Sequence, residues 1–148
     1  EVIDPTGLMK RRENFGTRLF KDIAIITAGV DVQDNRLEIE IVGWGRDEES
    51  WSLDYQVIYG DPSTPHLWND LDKILETTFE HQRELPNFSI TAVCIDSGGH
   101  YTDHVINYCD ARRHKKVFAI KGSSNGSGVP IWPPRASQNK RLKKDQVP

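Results

Sequence analysis

A chain of 148 residues with 36% hydrophobic and 28% charged residues can form one globular domain with a buried core. No apolar run approaches the roughly 18 residues of a membrane-spanning helix, and no signal peptide is visible in these residues. The net charge of −3 is uneven, because six basic residues and one acidic residue follow from Lys121 onward, whereas the preceding part is acidic.

The first 22 residues are polar and basic, and we expect them to link the domain to an upstream segment. Three predicted strands follow at residues 23–32, 37–45 and 51–59, separated by short polar turns. β-Branched and alternating apolar residues bounded by turn residues are typical of strands. Their short connections favour an antiparallel meander.

The next part of the chain alternates helices and strands. Pro65 begins the clearest helix, predicted over residues 65–82 because apolar side chains recur there with the helical period. A strand over 89–96, a helix over 102–113 and a strand over 116–121 complete the pattern. No periodic pattern follows.

The resulting order is β-β-β-α-β-α-β, which belongs to the α/β class. Crossovers between the later strands require parallel pairing, and such crossovers are almost always right-handed. Three antiparallel strands followed by these crossovers make a mixed five-stranded sheet flanked by helices, which is the ribonuclease H-like topology. In that topology the first and fourth strands are adjacent and parallel, so their carboxyl ends meet.

Two aspartates, Asp31 and Asp96, end two of these apolar strands. Asp is depleted in strands, and two carboxylates that face each other repel. Mg²⁺ or Mn²⁺ would relieve this repulsion, and a pair of such ions about 4 Å apart can promote phosphodiester hydrolysis. The alternative is structural, with Asp31 ending a strand and Asp96 capping the bend at 97–99. Their shared sheet edge favours the metal site.

Three stretches carry a resemblance to a known family: TAGVDVQDNRLEIEIVGWG at 27–45, EESW at 48–51 and IDSGGH at 95–100. They resemble the nuclease domain of the large terminase subunit of lambda-like tailed phages. Residues 4–12 resemble the link from its ATPase domain, so the resemblance covers nearly the whole chain.

The resemblance implies a metal-dependent endonuclease that cuts concatemeric double-stranded DNA for viral packaging in the host cytoplasm. It assigns Asp31 and Asp96 as catalytic ligands of Mg²⁺ or Mn²⁺. The implied partners, besides DNA, are an upstream ATPase domain of the same chain, the terminase small subunit and the portal. No GxxxxGK[ST] phosphate-binding loop of such an ATPase occurs in these residues.

This family also uses a third carboxylate in a later segment, and Asp145, in the basic tail, is not a convincing candidate. We therefore expect residues 23–148 to be a nuclease domain truncated at its C-terminus, with a flexible tail from about residue 122. The expected consequence is weak metal binding or poor cleavage by the isolated fragment.

Several other ionisable residues could have a functional or a structural role. His100 could assist proton transfer or contact a phosphate near the metal, or else be exposed or act as a cap. A zinc site with His104 is disfavoured because the HExxH pattern is missing. Glu38 and Glu40 share a strand face that is either solvated or leans toward the metal. Asp72 is expected to be a surface charge on the long helix.

Basic residues near the end of the chain are candidates for contacts with DNA phosphates, although a solvated, mobile terminus is the alternative. The two cysteines lack the CxxC spacing of a zinc site and are expected to be reduced core residues of an intracellular protein. The candidate phosphate ligands are Lys121, Arg135, Lys140, Arg141, Lys143 and Lys144.

Two rival functions remain open from the sequence. Another ribonuclease H-like nuclease, of the transposase or resolvase type, would share the acid pair. A catalytically inert module that docks DNA or protein would keep the fold but would not need a metal.

Overall fold

A five-stranded mixed sheet forms the centre of the structure, a computed structural model that describes residues 5–10, 18–83 and 86–122. The elements are, in chain order, α1 (Pro5–Lys10), β1 (Arg18–Leu19), β2 (Ile25–Gln33), β3 (Arg36–Trp44), a 3₁₀ turn (Arg46–Glu48), β4 (Ser50–Tyr59), α2 (Pro65–Leu75), β5 (Thr78–His81), β6 (Phe88–Ser89), β7 (Ala92–Asp96), α3 (Thr102–Ala111), a second 3₁₀ turn (Arg113–Lys115) and β8 (Val117–Ile120).

The strand order of the sheet is β4-β3-β2-β7-β8. The β2–β3 and β3–β4 pairs are antiparallel, whereas β2–β7 and β7–β8 are parallel. The first and fourth of the predicted strands, now β2 and β7, are therefore adjacent and parallel. This confirms the predicted ribonuclease H-like topology.

One face of the sheet carries the hydrophobic core. Along β2 the side chains of Ile26, Ala28 and Val30 are buried, as period-two alternation requires. They form one cluster with apolar residues of the neighbouring strands and with the inward sides of α2 and α3. Each fully buried aliphatic side chain in such a core contributes about 1.5–3 kcal/mol.

Among the described residues, the opposite face of the sheet is left open. Neither α2 nor α3 packs on it, and several of its large apolar side chains are substantially exposed, including Ile25, Phe118 and Ile120. Polar residues of β2 and β3 lie among them. We call this surface, which carries Ile25, Asp31, Glu38, Asp96 and Ile120, the open face.

The long helix ends earlier than predicted, at Leu75 rather than at residue 82. The β-branched pair Thr77 and Thr78 is unfavourable in a helix, and the chain turns there into β5. Phe79, whose spacing fitted the helical period, instead lies in a strand and packs against the core.

A second, three-stranded sheet in the order β1-β5-β6 was not predicted. Its β1 lies within the segment predicted as a linker, and Leu19 of this strand is buried in the core. His81 of β5 is also buried. Its Nδ1 accepts the Arg83 N–H at 3.1 Å, so its Nε2–H donates to the Ile23 carbonyl at 3.3 Å.

Asp72 is half-buried, so the expectation of a simple surface charge was wrong. Arg112 donates to both of its oxygens, at 2.7 and 2.5 Å, and the Tyr108 hydroxyl donates to it at 2.8 Å. The Arg112 guanidinium also lies 3.9 Å from the centre of the Tyr108 ring. This network joins α2 to α3.

None of the described helices has the length and apolar character needed to cross a bilayer.

Candidate active site

The register of β2 and β7 brings Asp31 and Asp96 to one edge of the sheet. The last pair of the ladder is Val30 with Ile95, and continuing it by one residue aligns the two aspartates. Neighbours in register on parallel strands point to the same face. Val30 and Ile95 are buried in the core, so Asp31 and Asp96 lie together on the open face, where both are exposed.

Asp31 is the first residue of β2 beyond this ladder. Its Oδ2 accepts a hydrogen bond from the Gln33 side-chain amide, two residues on and on the same face of the strand. A carboxylate has two oxygens and about four acceptor sites, so this single bond leaves most of its acceptor capacity available.

Asp96 is the last residue of β7, and the loop after this strand orients its carboxylate. The Gly98 N–H donates to Asp96 Oδ1 at 2.8 Å. The buried Ser97 hydroxyl donates to the Ile120 carbonyl at 2.8 Å, while the Thr102 hydroxyl donates to the Ser97 carbonyl at 2.8 Å. These bonds fix the loop that follows the strand to both β8 and α3.

Glu38 lies directly opposite Asp31 in the β2–β3 ladder, and so it also belongs to the open face. The Tyr55 hydroxyl donates to one of its oxygens, and Arg36 donates to the other at 2.7 Å. The hydrogen bond from Tyr55, followed by that from Arg36, lowers the pKa of Glu38. Glu38 is therefore an ionised but already partnered acid beside Asp31.

Glu40, its neighbour on the same strand face, is exposed and accepts a hydrogen bond from the Ser52 hydroxyl at 2.9 Å. Among the described residues, no group of three or more His, Cys, Asp or Glu side chains has a geometry that could hold a metal ion. Two carboxylates, Asp31 and Asp96, are thus the oxygen ligands that the described edge offers.

Two further predicted residues lie at the same edge. His100 is in the loop after β7, where its Nδ1 is 3.3 Å from Asp34 Oδ1 in the β2–β3 turn. Lys121 follows β8 directly, and the preceding Ile120 is in register with Asp96. The other predicted phosphate ligands, Arg135, Lys140, Arg141, Lys143 and Lys144, fall outside the described residues, as does Asp145.

Cys94 and Cys109 are both free, but Cys94 is only half-buried, so the expectation of a core residue was wrong for Cys94. Cys109 is buried against the core, and burial raises the pKa of its thiol to about 11. A thiol that stays protonated at neutral pH is a weak metal ligand and a poor nucleophile. This cysteine therefore has no part in the candidate site.

Glu38 was among the residues considered from the sequence. Counting around the β2–β3 hairpin could also have placed it opposite Asp31, because the two-residue turn at 34–35 determines the partner of each β2 residue. Nothing in the local pattern pointed to Gln33, Asp34 or Tyr55. Their roles arise from contacts across the turn, between loops or between strands.

Sequence comparison finds relatives along almost the entire chain. A family model described as "Terminase large subunit gpA, endonuclease domain" matches residues 1–147. The terminase large subunit of Escherichia phage lambda is 32% identical over 139 residues, which are 92% of this chain and 21% of that protein. The terminase large subunit of Enterobacteria phage P21 is 28% identical over 143 residues, 95% of this chain and 22% of the relative. The chain thus spans about a fifth of their length.

Comparison of the fold with solved structures finds Thermus thermophilus RuvC in complex with a Holliday junction substrate. The TM-score is 0.44 and the sequence identity is 16%, with 66% of each chain covered. A second structure of RuvC from the same organism gives a TM-score of 0.43 at 16% identity and covers 66% of this chain and 64% of RuvC. The observed strand order and directions themselves define the fold.

Proposed function

We propose that this chain, which belongs to the family of terminase large-subunit endonuclease domains, hydrolyses phosphodiester bonds of double-stranded DNA at the edge formed by Asp31 and Asp96. The observation that carries this proposal is the β2–β7 register, which aligns the two carboxylates on adjacent parallel strands. Both are exposed on the open face, and neither α2 nor α3 packs there, so the described part of the chain leaves room for a bulky polymer to approach them. Two carboxylates on adjacent strands repel each other, and a bound cation would relieve this repulsion.

The two aspartates suit a hard divalent ion. Each engages one oxygen in a described hydrogen bond, with Gln33 or with Gly98, which leaves the second oxygen for a metal. Mg²⁺ is commonly held by one or two carboxylates together with water, so this pair would hold Mg²⁺ or Mn²⁺. When bound, such an ion supplies Lewis-acid stabilisation of phosphate charge and lowers the pKa of water.

A two-ion arrangement needs at least one further carboxylate. Glu38 is the nearest acid by register, but Tyr55 and Arg36 already engage both of its oxygens. The described residues offer no third ligand. We therefore assign one ion to Asp31 and Asp96, and we expect the additional ligand of a second ion to come from outside the described residues.

DNA binding would depend on basic side chains around this edge. Lys121 is exposed and follows Ile120, the partner of Asp96, so we propose that its ammonium group contacts a phosphate of DNA bound near this edge. Such contacts position the backbone without reading its sequence. We propose the same role for the basic residues of the tail, namely Arg135, Lys140, Arg141, Lys143 and Lys144.

We extend the proposal to the biological role on the basis of the relatives, which are terminase large subunits. The domain would cut concatemeric viral DNA for packaging, in the host cytoplasm. Its partners would be an ATPase domain upstream in the same polypeptide, the terminase small subunit and the portal.

A plasmid-nicking assay with Mn²⁺ or Mg²⁺ tests the proposed chemistry. Asp31→Asn and Asp96→Asn should each abolish nicking, and calorimetry should show the loss of Mn²⁺ binding. Glu40→Gln is the matched control, because it neutralises another exposed carboxylate of the same sheet face and should keep both properties.

Wild-type protein that binds no Mn²⁺, with an unaltered DNA affinity in Asp31→Asn, would instead support an inert docking module. Comparing the 148-residue chain with the intact polypeptide tests the incomplete site separately. Equal turnover by the two would show that no further carboxylate is needed.

A further inference from the structure

An aspartate and a histidine join the two loops that flank the acid pair. Asp34 lies in the turn between β2 and β3, three residues after Asp31, and His100 lies between β7 and α3, four residues after Asp96. His100 Nδ1 is 3.3 Å from Asp34 Oδ1, and the Tyr101 hydroxyl donates to the Asp34 carbonyl at 3.4 Å. The His100–Asp34 pair therefore spans the same edge as the two candidate metal ligands.

The Asp34 carboxylate determines which ring nitrogen of His100 is available. An ionised carboxylate only accepts hydrogen bonds, so the proton of the neutral ring must be on Nδ1. Nε2 then carries the lone pair and can accept a proton. The His100 side chain is 87% exposed, so water reaches this nitrogen. A carboxylate that orients a histidine in this way is a recurring arrangement in general-base catalysis.

We propose that His100 is the general base of the hydrolysis at Asp31 and Asp96, and that Asp34 is the positioning residue that orients it; this rests on the proposed function. Nε2 takes one proton from the attacking water as the new oxygen–phosphorus bond forms. The bond between phosphorus and the leaving oxygen breaks, and that oxygen keeps the electron pair and takes a proton from solvent. The imidazolium then returns its proton to solvent.

The surroundings of His100 are compatible with a transient positive charge. The Asp34 carboxylate lies 3.3 Å from the ring, so the imidazolium formed in the reaction has negative charge beside it. His104, on α3, has its ring centre 6.1 Å from that of Tyr101, the residue after His100. The ionisable groups on the elements that meet here are Asp31, Asp34, Asp96, Tyr101, Asp103 and His104.

The chain contains a matched control for this pair. On α2, His66 Nδ1 is 3.1 Å from Asp70 Oδ2, and the His66 side chain is also 87% exposed. Because α2 packs against the other face of the sheet, His66→Ala removes an equally exposed, carboxylate-bound imidazole without altering the acid pair.

The experiment measures DNA cleavage at saturating Mn²⁺ by the intact polypeptide carrying His100→Ala, Asp34→Asn or His66→Ala, with and without free imidazole. We expect His100→Ala to lose roughly 10²-fold or more in kcat, the usual contribution of a general base. Imidazole should restore part of this rate because the position is exposed. Asp34→Asn should show a smaller loss in kcat, and imidazole should not raise its rate. His66→Ala should have the kcat of the wild type. Mn²⁺ affinity should not change in any of the three.

A wild-type rate for His100→Ala would overturn the proposal. A slow His100→Ala that imidazole does not rescue would also overturn it, because the residue would then act as a ligand or a structural contact. Asp31→Asn, measured in parallel, separates the two proposals. Intact cleavage by Asp31→Asn contradicts the proposed site itself, whereas its loss together with a fully active His100→Ala contradicts only the general base.

Discussion

The backbone N–H of Gly98 donates to Asp96 Oδ1 at 2.8 Å, and a side chain at the same glycine would crowd this carboxylate. A Cβ atom at position 98 would lie 3.1 Å from Asp96 Oδ1 and 3.5 Å from Oδ2. Glycine therefore allows the main chain to approach and orient a candidate metal-binding carboxylate.

Gly98→Ala should displace the Asp96 carboxylate and weaken Mn²⁺ binding. Losing one correctly placed supporting contact of a metal ligand typically costs about 10–100-fold in affinity or activity. Titration calorimetry and nicking rates measure the effect. Gly99→Ala is the control, because a Cβ there would make only an ordinary 3.8 Å contact with the Val32 carbonyl. Equal affinities in the two variants would show that the Gly98 contact has no influence on the metal.

Asp31→Asn should leave the metal-free protein as stable as the wild type. The side chain is exposed on the open face, and the substitution removes one of two neighbouring negative charges. Added Mn²⁺ should raise the melting temperature of the wild type, since a ligand at about 100 times its Kd stabilises by about 2.7 kcal/mol. Scanning calorimetry with and without Mn²⁺ should show this increase only in the wild type. An increase in both proteins would place the ion elsewhere.

Asp72→Asn should destabilise the fold in a pH-dependent manner. Desolvation raises the pKa of Asp72, but hydrogen bonds from Arg112 and Tyr108 outweigh it, so the net pKa is below the usual 3.8. A lowered folded-state pKa stabilises the protein above pH 3.8, and this stabilisation is lost as the pH falls through the folded-state value. The variant should lose about 1–3 kcal/mol near neutral pH, as expected for charged hydrogen bonds.

Urea unfolding of the wild type and Asp72→Asn between pH 2 and 7 measures this difference. Asp70→Asn is the control, since Asp70 is on the same helix and its partners His66 and Lys73 are both largely exposed. A destabilisation by Asp72→Asn that stays constant down to the lowest pH would argue against an ionised Asp72 as its source.

Lys121→Ala should weaken DNA binding uniformly across sequences. Each lost phosphate contact lowers the slope of log K against log salt by about one. Fluorescence anisotropy over a series of salt concentrations gives this slope, and cleavage per bound complex should change much less than affinity. Lys73→Ala, on α2 and away from the open face, should leave the slope unchanged.

The central sheet could be predicted from the sequence because its strands obey local rules. Period-two alternation and short turns determine the β2–β3–β4 meander, and the helix–strand series requires the parallel pairs. The β1-β5-β6 sheet could not be predicted in this way. Its strands have two to four residues, too few to show a period, and its β1–β5 pair joins residues about sixty positions apart.

The sequence was sufficient to predict the two aspartates of the candidate site, but not the contacts around them. Asp31 and Asp96 stand out because charged residues follow apolar strands, and topology alone brings them together. The Asp34–His100 pair and the Asp72–Arg112 pair join residues 66 and 40 positions apart. Both depend on how loops and helices pack, and neither leaves a local signal.

The alternation of buried and exposed side chains along β2 also affects how the sequence of this domain can evolve. Ile26, Ala28 and Val30 contact the core, whereas Asp31 belongs to the opposite face. Substitutions on one face leave the other face in place, so a lineage could lose or alter the proposed hydrolysis while the domain still folds. A single-residue insertion or deletion in β2 is different. It would exchange the two faces and remove stability and reactivity in one step.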